Sequence, residues 1–321
     1  MQKIEVEKIA TLTGHRDCVY TLERGLESGT FYSAAGDGQV AQWNFSGEDK
    51  GELLASVDRS VYALRLLNKR KILLIGHNFN GLQVIDLKEK KILKTVPLPP
   101  VAIFDIAHHK AGKAIFVGMG DGSIVVLDEE LFSIKNTLNL SGKSVRSLAI
   151  NPKTNELAAG YSDHIIRIFS LENLQLKHAL ESHTNSVFVV AFTPDGKSLL
   201  SGSRDAHLRI WDVENQYAER QSVVAHMYTI NDIVFSPDGH YFATCSKDKS
   251  IKIWDASTYK LLKVIDKARN AGHGTSVNKL FWTDEQNKLV SCSDDRTVSV
   301  WKINFGLRYE NHSVRDQAEN I

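Results

Sequence analysis

The chain has 321 residues, 42% hydrophobic and 24% charged, the composition of an ordinary globular protein. Lysine and arginine total 39 against 38 acidic residues, and a net charge of +1 argues against nucleic acid, whose readers usually carry a basic stripe. No apolar stretch approaches the roughly 18 residues of a membrane-spanning helix, so no membrane partner is expected.

Met1–Leu12 lacks the continuous apolar core of a signal peptide. Instead Glu5 to Leu12 (EVEKIATL) alternates like a strand. From there on the chain keeps time. Val19, Val61, Ile103, Val145, Val187, Ile230 and Val277 stand at intervals of 42, 42, 42, 42, 43 and 47 residues. Trp43, Ile85, Leu127, Phe169, Trp211, Trp254 and Trp301, each ending a β-branched run, repeat the same six intervals. Two markers in step predict seven copies of one unit, and a period near 43 points to propeller blades.

The fifth copy shows the unit. Val187 to Phe192 (VFVVAF) reads as a strand buried on both faces, and Thr193-Pro194-Asp195-Gly196 as a turn. Ser198 to Gly202 is a second strand, His207 to Asp212 a third, and Tyr217 to Val224 a weaker outer one. The longest step predicts an extended loop at Asp266 to Gly274. The seventh copy runs out at Asn304 without a fourth strand, and Glu5 to Leu12 has the length to supply it. The expected fold is all-β: a seven-bladed β-propeller of four-stranded antiparallel blades, with the N-terminal strand closing the last blade. Residues 1–304 form that single domain and 305–321 a polar C-terminal tail.

Cys245 and Cys292 each precede a marker tryptophan by nine residues and read as packed thiols. An intracellular, cytoplasmic setting is therefore expected. Cys18 falls beside the first valine marker.

Four units carry a His, a hydroxyl, an Asp and a Trp at fixed spacing: His15, Ser33, Asp37, Trp43; His183, Ser201, Asp205, Trp211; His226, Thr244, Asp248, Trp254; and His273, Ser291, Asp295, Trp301. One such set invites a catalytic-triad reading. Four copies around a ring argue for a buried hydrogen-bond chain in which hydroxyl and imidazole link indole to carboxylate. In the other three units the Trp is replaced by Ile85, Leu127 and Phe169, and the His goes with it.

The endings Trp211-Asp212 and Trp254-Asp255, with Gly14-His15 and Gly272-His273 about thirty residues ahead of a Trp, resemble the WD-repeat β-propeller family. The likeness covers residues 3 to 304. It departs from the family pattern at Asn44, Ser170 and Lys302, and at the missing glycines before His183 and His226. The resemblance implies ring closure by the N-terminal strand and recognition of protein segments at the rim where the inner strands begin, here the top.

At that rim stand Tyr20, Tyr62, Phe104, Arg146, Phe188, Asn231 and Asn278, each one residue after a marker. Arg204, Lys247 and Asp294 precede the tight-turn Asp positions. Aromatics and Arg in a half-exposed cluster have the composition of an interface hot spot. The bland alternative is that the rings only fill the channel. The cations suggest a protein or peptide partner carrying Asp, Glu or phosphate beside an apolar anchor. The function expected is a non-catalytic interaction scaffold, a subunit of a larger complex, with no cofactor and no metal. Two rivals stay open. A channel enzyme would draw on Glu23, Asp105, His108 and Asp232, and a nucleic-acid or chromatin-associated role would show as salt-sensitive binding.

Overall fold

The computed structural model describes residues 4–46, 48–283 and 285–306. The tail expected at 305–321 lies outside the described residues from position 307 on, and the last strand runs through Phe305. No helix among the described residues is long and apolar enough to cross a membrane.

Among the described residues, 28 strands form seven four-stranded antiparallel sheets arranged in a ring. Blade 1 is built from Val19–Arg24, Thr30–Ala35, Gln39–Asn44 and Glu52–Ser56, ordered from the inside outwards. Blades 2 to 6 repeat that order, with inner strands Val61–Leu67, Ile103–His109, Val145–Asn151, Val187–Phe192 and Ile230–Phe235. Blade 7 places Val277–Trp282 inside, then Lys288–Ser293 and Val298–Phe305, and takes Ile4–Leu12 as its outer strand. That closing strand runs in register from Ile4 opposite Phe305 to Leu12 opposite Val298, with one bulge between Lys8 and Ala10. Each inner strand packs on the next, and that of blade 7 on that of blade 1. The long step in the sequence holds a four-residue helix, Lys267–Asn270, capped by the Asp266 side chain accepting from Arg269 N.

The valine ladder has a packing cause. The second strands of blades 2 to 5 carry Gly76, Gly118, Gly160 and Gly202 at matching positions. A Cβ on any of them would come within 2.6 to 3.0 Å of the marker Ile103, Val145, Val187 or Ile230 of the following blade. Small residues let the branched markers seat at each blade seam, and interiors this dense leave little room to give. Ala34, Cys245 and Cys292 occupy the same position in blades 1, 6 and 7. Both cysteines are therefore buried free thiols.

Candidate binding site at the top of the channel

Every inner strand breaks register just after its marker. Val19 pairs with Ala35 but Thr21 with Ala34, leaving Tyr20 unpaired, and the same irregularity follows Val61, Ile103, Val145, Val187, Ile230 and Val277. A β-bulge re-aims the extra side chain. The seven bulged residues are Tyr20, Tyr62, Phe104, Arg146, Phe188, Asn231 and Asn278, and all seven line one cavity of about 650 Å³ at the channel mouth. Arg204, Lys247 and Asp294 line it too. The bulge also turns the next residue towards the channel, so Asp105, Ser147 and Lys279 join the lining. Strict alternation of faces hides Ser147 and Lys279 in the sequence, whereas Asp105 is already among the channel candidates.

The cavity has two unlike sides. On one, Tyr20 meets Tyr62 edge-on with ring centres 4.7 Å apart, and Tyr62 stacks on Phe104 at 5.6 Å. The Arg146 guanidinium continues this arc, 4.1 Å from the ring centre of Phe104 and 4.3 Å from that of Phe188. Burial draws the pKa of Arg146 down to about 10, and the Tyr62 hydroxyl opposes this only in part. Rings above and below a cation attract it but do not neutralise it.

The other side is polar and mostly committed. Asn231 donates to Ser276 Oγ and Val277 O at 3.0 and 2.8 Å, and Asn278 to Val19 O and Asp294 Oδ1 at 2.9 and 2.7 Å. These two amides clip neighbouring blades together. Arg204 and Lys247 stand exposed at the rim. Among the described residues, neither they nor Arg146 join an ion pair. The Cys18 thiol, beside this rim, donates to Asp294 O at 3.6 Å, and burial and Asp294 push its pKa up, away from nucleophilic activation.

Deeper in the channel the charges pair with one another. Lys279 Nζ lies 3.0 Å from Asp232 Oδ1, and Arg65 lies 3.6 Å from Glu23 and 4.0 Å from Asp105. Asp232 Oδ2 accepts from Leu280 N at 2.9 Å and Asp105 Oδ2 from Leu148 N at 2.8 Å, so each carboxylate also binds the next blade. His108 sits apart, 2.9 Å from Glu129.

The four polar sets form continuous chains. Trp211 Nε1 donates to Ser201 Oγ at 2.9 Å, His183 Nε2 lies 2.8 Å from that oxygen, and Asp205 lies 2.9 Å from His183 Nδ1. The sets of Trp254 and Trp301 match within 0.2 Å, whereas in blade 1 the His15–Asp37 contact stretches to 3.4 Å. A neutral imidazole donating to the Asp and accepting from the hydroxyl uses every proton once. The hydroxyls of Ser33, Ser201, Thr244 and Ser291 belong to fully buried residues beneath the indoles.

Blades without the tryptophan use other polar groups. In blade 4 the Arg167 fork grips Asp163 at 3.0 and 2.9 Å, Ser141 donates to Asp163 at 2.6 Å, and the guanidinium lies 4.4 Å from the Tyr161 ring centre. In blade 2 the buried His77 meets Asp58 at 2.6 Å.

The repeat profile described as "WD domain, G-beta repeat" matches residues 133–170, 174–212, 218–255 and 263–302. Each matched segment takes the outer strand of one blade and the three inner strands of the next, and seven such blades close the ring. The chain is a WD-repeat β-propeller. The profile reaches blade 4, which lacks the His–Trp chain, and passes over blade 1, which has it. Among curated proteins, no significant match to the chain is found. WD-repeat propellers generally serve as protein-interaction scaffolds.

Proposed function

We propose that this WD-repeat propeller is a non-catalytic interaction platform, one subunit of a larger cytoplasmic assembly. Its top cavity takes a protein segment that carries Asp, Glu or phosphate beside an apolar anchor. One observation carries this reading: Arg146 is half-buried and without an anion, held between Phe104 and Phe188 in a wall of four aromatic rings. Arg204 and Lys247 line the same cavity and join no ion pair among the described residues. A desolvated guanidinium gains most from a carboxylate or phosphate that arrives with its own apolar cover.

The fourfold repetition of the His–hydroxyl–Asp set under buried indoles supports struts rather than nucleophiles. Two buried, unpaired thiols at blade seams support a reducing compartment. The test is affinity capture with wild type and with the Tyr62→Ala, Arg146→Ala double variant. The variant should lose the wild-type partners while its melting temperature stays nearly unchanged. Undiminished capture removes the top cavity from consideration.

A further inference from the structure

The face opposite the top cavity carries a second pocket, at the seam where blade 7 meets blade 1. Its volume is about 400 Å³, within the range of small-ligand sites. Two loops form it: Gly25–Thr30 of blade 1 and the segment after Trp282 of blade 7. Phe45, Phe281 and Trp282 supply aromatic walls.

What distinguishes this pocket is a pair of unmet hydrogen-bonding groups. Of the five tryptophans, Trp43, Trp211, Trp254 and Trp301 donate their indole N–H to a Ser or Thr hydroxyl. Trp282 is just as buried, 5% exposed, yet its Nε1 has no acceptor among the described residues. Glu285 Oε2, in the same pocket, is buried and without a donor among the described residues. The carboxylate lies over Gly29, with Oε2 3.4 Å from where a Cβ would stand, so a blade 7 side chain is held against the blade 1 loop. An orphaned buried donor and an orphaned buried acceptor each cost free energy, and a ligand that satisfies both recovers it.

We infer that this pocket binds a basic side chain of a partner segment. The cationic head of an arginine or lysine pairs with Glu285, its stem lies along the aromatic walls, and a main-chain carbonyl of the same segment accepts from Trp282 Nε1. Charge favours this occupant: among the described lining residues Glu27 and Glu285 stand against the cation Arg24, and the nearby Lys288 ammonium is already engaged with Phe45 O at 3.1 Å. The inference stands apart from the top cavity, which asks for an anion.

The test uses the full chain with its indole groups labelled with nitrogen-15, which gives one N–H signal per tryptophan. Trp282→Phe assigns the signal. The probe is N-acetylarginine N-methylamide, with the glutamate analogue as control. The arginine probe should move the Trp282 signal saturably and leave the other four in place. Glu285→Gln should weaken that binding at least about tenfold, the loss of one hydrogen bond to a charged group. The other four indole signals report that each variant remains folded. A Trp282 signal that stays still up to the solubility limit of the probe overturns the inference, as would equal movement by the glutamate probe or undiminished binding by Glu285→Gln.

Discussion

The Arg146 guanidinium lies 4.1 Å from the ring centre of Phe104, with Phe188 closing the other side at 4.3 Å. Burial draws its pKa down to about 10, and among the described residues it joins no ion pair, so the proposed role in binding an anion can be tested at this residue. Replacing it should therefore separate folding from binding. Arg146→Gln is expected to change unfolding free energy by no more than about 1 kcal/mol, the size of a half-exposed cation–π contact. Capture of partners should fall at least about tenfold, since a hydrogen bond to a charged group is worth ~1.5–3 kcal/mol. Denaturant melts and quantitative capture check the two halves.

The blade seam predicts a different sensitivity. A Cβ at Gly202 would stand 2.6 Å from Ile230 Cγ2, whereas one at Gly142 would meet nothing within 4 Å. Gly202→Ala should cost about 1–3 kcal/mol through overpacking. Gly142→Ala should be neutral or slightly stabilising, because it narrows the unfolded ensemble. Equal urea midpoints for the two variants would show that the seam is looser than these distances imply.

Much of this was legible in the sequence because the ring repeats it. The markers located blades, the quartet spacing located the hydrogen-bond chains, and the ten rim residues named from spacing all line one cavity. Three things were hidden. The bulge after each marker cannot be seen in a one-dimensional pattern, so Ser147 and Lys279 carry no sign in the sequence that they line the cavity. The amides of Asn231 and Asn278 read as ligand contacts, yet their donors are engaged between blades. Arg167, the partner of Asp163, lies on the third strand rather than at the histidine position, so blade 4 seemed to have lost its polar chain.

Acid should weaken the fold. Burial lowers the pKa of His183 and His226, and the hydrogen bonds to Asp205 and Asp248 offset this only in part. A folded-state value below the unfolded value of about 6.5 means the unfolded chain binds more protons. That stability is complete above pH ~6.5 and declines as pH falls below it. For Asp205 and Asp248, burial acts to raise the pKa, but the hydrogen bonds from His183 and His226 outweigh it and hold both carboxyls below the usual range. Their contribution is present above pH ~4 and lost only as pH falls further. Unfolding free energy measured in denaturant should drop between pH 7.5 and 5. In a His183→Asn, His226→Asn variant the drop should be shallower, from a lower starting value. Unchanged stability across that range would show that the imidazoles titrate alike in the folded and unfolded chain, and a rise towards pH 5 would show that they are charged in the fold.

Asp232 joins blades 6 and 7 through both oxygens, one on Lys279 Nζ at 3.0 Å and one on Leu280 N at 2.9 Å. Asp232→Ala strands an ammonium inside the channel and a backbone N–H at the seam. The expected cost is about 3–5 kcal/mol, the penalty for breaking a buried pair from one side. Asp232→Asn keeps an acceptor for Leu280 N and should cost less. Calorimetric melts of the two variants give the comparison, and equal losses would assign the effect to charge alone.

The top cavity is tested most directly by selecting phage-displayed peptides on the wild-type protein. The Kd of the enriched peptide is then measured with wild type and with an Arg146→Gln, Lys247→Glu variant. Enriched peptides should carry Asp or Glu beside a large apolar residue, and the variant should bind them at least about tenfold more weakly. Enrichment of basic or uncharged peptides, or a Kd that the variant leaves unchanged, would contradict the account.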